Sequence, residues 1–144
     1  MSTTKERPSF TTIYLNLAKG LAERSTCSRL QVGSVITTAD HRHVLAVGYN
    51  GGASGLNDEH SCKSDVPGQC GHLHSEINAI INCTAPRHVE KILYVTHTPC
   101  IMCAKAIINL GGVIKVVVVE PYRSEEGSIL LRRAGIPVSF HKPS

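Results

Sequence analysis

Four residues carry the chemistry in this sequence: His74, Glu76, Cys100 and Cys103. Cys100 and Cys103 stand in the run Pro99-Cys100-Ile101-Met102-Cys103. Positions i and i+3 of a helical turn share one face, so both sulfurs can aim at one point. A helix N-terminus carries partial positive charge, which favours thiolates over thiols and so favours ligation of a metal. With His74 the pair offers three nitrogen and sulfur ligands to a tetrahedral Zn(II), leaving the fourth position to water as in a catalytic site. Zinc lowers the pKa of such a water from about 16 toward about 7. Glu76 is too near His74 in sequence to be a comfortable fourth ligand, but close enough to carry that water's proton to a ring nitrogen and a departing amine.

Plainer readings of the same residues stand beside this one. A closed structural zinc site could use His74, Cys100, Cys103 and a further ligand, but Glu76 would then lack a purpose. A thioredoxin-like redox pair also places C-x-x-C after a strand, yet here no Trp precedes the pair and His74 would be a coincidence. Two ordinary buried cysteines are the default for isolated Cys, not for this spacing.

The elements that must position these residues follow from periodicity. Phe10, Ile13, Tyr14, Leu17, Ala18 and Leu21 recur at helical spacing over 9–24, with Ser9 as N-cap. Residues 32–38 and 44–49 read as two strands joined by a polar turn, a hairpin. A helix is expected from His74 to about Cys83, which is read as one of its buried residues. A strand follows over 92–96, then a helix over 101–110 that Gly111 and Gly112 stop. The apolar run 115–120 reads as a buried strand, 124–134 as a helix and 137–141 as a fifth strand. Strand and helix alternate in the second half, which implies parallel strands. The expected fold is α/β: a three-layer α/β/α sandwich with a mixed central sheet of about five strands. In such sheets ligands bind at the carboxyl ends of the strands, where Cys100 and Cys103 fall.

Composition narrows the function classes. A chain of 144 residues, 42% hydrophobic and 18% charged, suits one domain with a sizeable core. We read 1–144 as a single domain with a long polar, Gly-rich loop over 50–73 before the first ligand-bearing helix. No apolar run approaches the roughly 18 residues that span a bilayer. The start MSTTKERPSF has no apolar leader region, so a cytoplasmic location is expected. The net charge of +4 comes from scattered cations, and aromatics make up 4% with no Trp. That argues against a nucleic-acid stripe or a base-stacking platform and for a small-molecule partner. Six Cys and eight His in a chain read as cytoplasmic point to metal or thiol chemistry rather than disulfides.

The pairing of H-x-E with P-C-x-x-C is the pattern of zinc-dependent nucleobase deaminases. Together with CSRLQVGSVIT (27–37), GYNGGASG (48–55), HSEINAI (74–80), YVTHTPCIMCAKAII (94–108) and LRRAGIPV (131–138), it resembles the deoxycytidylate deaminases of the cytidine deaminase superfamily. The resemblance covers most of the chain. It implies hydrolysis of dCMP to dUMP and ammonia, with a zinc-activated water attacking C4 of cytosine and Glu76 shuttling protons. It also implies an α/β/α sandwich and a homo-oligomer, often a hexamer in this family. Asn50 is implied at the sugar and Arg29 at the phosphate, although on residue type alone Asn50 is equally a turn former and Arg29 a surface cation. Ser75 stands where the family usually has Ala, a small-for-small exchange expected to be harmless. The loop after GYNG departs from the family's commoner GTPSG version, and that loop bears on base and phosphate specificity. Other readings of the same zinc centre are a tRNA or single-stranded nucleic-acid deaminase and a non-catalytic zinc-binding interaction protein.

The long loop holds a second cluster. Cys62, Cys70 and His72 lie close together in a segment too polar to fold on its own core. Exposed thiols are oxidation liabilities, so a structural zinc is the expected use. The resemblance places Cys27 beside this loop as fourth ligand, with His60 as competitor for the third or fourth position. The plainer alternative is a core Cys27 with unligated loop thiols. The expected cofactors are thus one catalytic and one structural Zn(II).

Overall fold

Successive side chains of a strand point to opposite faces, so an unbroken apolar strand needs a layer on each side. The run Val116-Val117-Val118-Val119 is buried throughout. The computed structural model describes residues 6–27, 30–52, 72–122 and 124–143. Its elements are α1 (Phe10–Ala22), β1 (Gly33–Thr38), β2 (Val44–Tyr49), α2 (Ser75–Asn82), β3 (Lys91–His97), α3 (Ile101–Leu110), β4 (Val113–Glu120), α4 (Glu126–Arg133) and β5 (Val138–Phe140). The sheet order is β2-β1-β3-β4-β5; β1 is antiparallel to β2 and β3, while β3, β4 and β5 run parallel.

Val35, Ile92, Tyr94, Val117 and Val119 pack on Tyr14, Leu15 and Ala18 of α1. Their neighbours Ile36, Leu93, Val95, Val116 and Val118 pack on the opposite face with Ala79 of α2, Ala104 and Ile107 of α3 and Leu131 of α4. One helix on one face and three on the other make the α/β/α sandwich. Ser9 caps α1 as expected, its Oγ accepting from the Thr12 N–H. Among the described residues no helix is long and apolar enough to cross a membrane.

Some boundaries differ from expectation, for physical reasons. β4 begins at Val113, which pairs with Lys91. A register shift follows at once and leaves Ile114 and Lys115 exposed, so the apolar run starts later than the strand. α2 ends at Asn82, and Cys83 is its half-buried C-cap rather than a buried helix residue. Lys91 is fully buried, its ammonium donating to the carbonyls of Pro86 (3.0 Å), Val89 (2.8 Å) and Gly111 (2.9 Å).

Two features position α2. Gly51 and Leu73 exchange backbone hydrogen bonds (3.1 and 2.8 Å), which pins the chain directly before the helix. At Gly48 a Cβ would stand 2.4 Å from the Ser75 carbonyl oxygen and 2.5 Å from the Ala79 nitrogen, so α2 lies against bare β2 backbone. Gly48→Ala is therefore expected to destabilise the fold by about 1–3 kcal/mol. Thermal unfolding checks this; an unchanged midpoint would contradict so close a packing.

Candidate metal centre

Helices are best started by Ser, Thr, Asp or Asn, whose side chains bond an orphan N–H; replacing one typically costs about 1 kcal/mol. α1 follows that rule. α2 and α3 do not: their N-caps are His74 and Cys100, and neither side chain makes a capping bond. Two helix starts that forgo their caps turn those side chains toward each other instead. His74 Nδ1 lies 3.3 Å from Cys103 Sγ and 3.5 Å from Cys100 Sγ. The three ligand atoms lie within 4.8 Å of one another, the only such His, Cys, Asp or Glu group among the described residues. A tetrahedral zinc with bonds of about 2.0–2.3 Å would set nitrogen and sulfur about 3.6 Å apart, so these residues fit the ion.

The electrostatics agree. The Cys100 thiol is lowered to about 4, chiefly by the hydrogen bond from Cys103 and further by His74, with burial opposing. That direction favours the Cys100 thiolate, the form that binds metal. Cys103, which donates that bond, is pushed up by it and by burial. His74 is raised above its ordinary value, first by its hydrogen bond with Cys100 and against its own burial. Glu76 is almost completely buried, and burial raises its carboxyl; hydrogen bonds from Ser75 and its own backbone pull the other way. A buried carboxyl that resists ionising is suited to handing protons on.

The cavity beside these residues is lined by the ends of β2, β3 and β4 and by the segment before β1. Asn50 lines it, but its amide is already engaged: Oδ1 accepts from Val32 N–H (2.8 Å) and Nδ2 donates to the Leu30 carbonyl (2.6 Å). An amide has two N–H groups and two lone pairs, so one of each remains beyond these bonds. Cys27 and His72 are both buried and line the same cavity, with His72 Nε2 3.3 Å from Thr26 Oγ1. Arg29, His60, Cys62 and Cys70 lie outside the described residues.

The cavity also takes in residues that the sequence reading missed: His97, Tyr122, Lys105 and Glu126. His97 and Tyr122 follow or end parallel strands, and that position was the available signal. Burial lowers the His97 imidazole below its ordinary value. Ser34, which the sequence reading did not single out, and Ser75, noted there only as a small-for-small exchange, are both buried.

Residues 9–120 match the family model described as the cytidine and deoxycytidylate deaminase zinc-binding region. The chain belongs to the deoxycytidylate deaminase family. It is thus a zinc-dependent hydrolase of the cytidine deaminase superfamily. The deaminase is 33% identical to ComE operon protein 2 of Bacillus subtilis (strain 168), over 92% of this chain and 71% of that protein. It is 32% identical to the deoxycytidylate deaminase of Mycobacterium phage D29, over 77% of this chain and 94% of the phage enzyme. Its fold is similar to that of the dCMP deaminase of cyanophage S-TIM5 in complex with dCMP and dUMP, with TM-score 0.79 and 28% identity, covering 95% of this chain and all 100% of that one.

Proposed function

We propose that this deaminase hydrolyses a free pyrimidine deoxynucleotide, converting dCMP and water to dUMP and ammonia, as one domain spanning 1–144 and as a homo-oligomer. The observation that carries the reading is the buried Glu76 carboxyl beside the convergent His74, Cys100 and Cys103. The names of the phage D29 and S-TIM5 relatives support the choice of dCMP. Held by those three ligands, zinc supplies an acidified water and a Lewis-acid contact. Glu76 takes one proton from the water and delivers it to cytosine N3 as the C4–O bond forms. It then takes the second proton from the new C4 hydroxyl and hands it to the departing amine, so that the C4–N bond breaks and the C4 carbonyl forms. Burial of Glu76 excludes bulk water from that exchange. The test is a substrate panel of dCMP, CMP, deoxycytidine, cytosine and a dC-containing oligonucleotide. Ammonia released fastest from dCMP supports the proposal; preference for the oligonucleotide would replace it with a nucleic-acid deaminase.

Within this reading Asn50 uses its remaining N–H or lone pair on the sugar, and Arg29 holds the phosphate. A charge-assisted contact is lost only for a substrate that carries the charge. Arg29→Ala is therefore expected to lower kcat/KM for dCMP about 10-fold or more, and to leave deoxycytidine nearly unchanged. Equal losses on both substrates would remove Arg29 from phosphate binding.

The structural zinc is also part of the proposal, held by Cys27, Cys62, Cys70 and His72. The burial of Cys27 and His72 along one cavity supports it, since a closed site excludes water. Elemental analysis of protein prepared without chelators should find two zincs per chain, falling to one in Cys62→Ser or Cys70→Ser. One zinc in the wild type would rule the second site out.

A further inference from the structure

Ser34 of β1 and Ser75, the first residue of α2, are fully buried at 0% exposure. A buried hydroxyl is costly unless it is bonded, and Ala would fill either position without that burden. The two hydroxyl oxygens lie 2.7 Å apart, and Ser75 Oγ–H donates to Glu76 Oε1 at 2.7 Å. A serine hydroxyl carries a single proton. With Ser75 donating its one proton to Glu76 Oε1, Ser34 is the donor to Ser75. The donors therefore run one way, from Ser34 through Ser75 to Glu76. The far end of this chain lies within the sheet, where Ser34 pairs with Gly48 on β2 and Val95 on β3.

We propose that Ser75, oriented by Ser34, is a positioning residue that fixes the Glu76 carboxylate. The terminal torsion of a glutamate is broad and nearly two-fold, so an untied carboxyl can exchange its oxygens. The Ser75 hydrogen bond holds Oε1 as a permanent acceptor and leaves Oε2 as the oxygen that takes and returns the proton. The inference rests on the proposed role of Glu76 as proton carrier; the Ser75–Glu76 contact itself does not.

The test compares wild type, Ser75→Ala, Ser34→Ala and the double variant as zinc-loaded full chains. Steady-state kinetics on dCMP give one readout. The carboxylate infrared bands of Glu76, obtained by subtracting the Glu76→Gln spectrum in each background, give the other. Ser75→Ala is expected to lower kcat about 10-fold, the size of one hydrogen bond to a charged group, with KM within about twofold and zinc content unchanged. Ser34→Ala should lose less, and the double variant no more than Ser75→Ala, because the chain passes through Ser75. The Glu76 antisymmetric stretch should shift when Ser75 is replaced. Wild-type kcat in Ser75→Ala, additive losses in the double variant, or an unmoved band would each overturn the inference. If the wild-type protein fails to deaminate dCMP, the substrate reading falls, and the band alone then decides the Ser75–Glu76 contact.

Discussion

Glu76→Gln is expected to abolish dCMP turnover, by about three orders of magnitude or more, while the protein keeps its zinc. Gln has nearly the same shape, and its amide oxygen can still accept from Ser75, which donates to Oε1 at 2.7 Å in the wild type. It cannot take up and return a proton. The side chain is not among the three convergent ligand atoms, so metal content should be untouched. Removing the buried carboxyl's charge should not destabilise the fold, since burial already disfavours that charge. Activity and zinc measured on one preparation check this. A variant with a tenth of wild-type activity, or one lacking its metal, would contradict the role.

Removing any one ligand should be as severe for a different reason. Three protein contacts are the minimum of a catalytic zinc site, and two hold the ion poorly. His74→Ala, Cys100→Ala and Cys103→Ala are each expected to lose one equivalent of zinc per chain and all measurable deamination. The folds should survive, because His74 and Cys100 already contribute no capping bond to their helices. Zinc content and circular dichroism together check the claim. A variant that keeps its full zinc content would drop that residue from the ligand set.

The parts of this fold written in local pattern were legible in the sequence. The helix over 101–110 was read to its ends, because it runs from Cys100 to Gly111, which adopts φ +85°, a backbone conformation that favours glycine. The convergence of His74, Cys100 and Cys103 was legible because residue type and spacing together mark a possible ligand set. What tertiary context decides was not legible. The bulge at the start of β4 depends on its pairing with β3. The burial of Lys91 was not legible either: two carbonyls of the 86–89 turn and that of Gly111 converge on its ammonium. The contacts of the Ser75 hydroxyl were not legible, because Ser34, whose hydroxyl lies 2.7 Å away, is 41 residues distant in sequence. Asn50 divides between the two: its place after β2 was plain, but its bonds to the backbone at Leu30 and Val32 were not.

In the proposed reaction the buried Glu76 and the convergent His74, Cys100 and Cys103 perform a hydrolysis at C4 of cytosine. Mass spectrometry of the product formed from dCMP in water enriched in oxygen-18 tests it most directly. The expected result is dUMP carrying one heavy oxygen on the base, one ammonia released for each dUMP formed, and loss of both when zinc is stripped. Unconverted dCMP in the presence of fully zinc-loaded protein, or dUMP without the label, would contradict it.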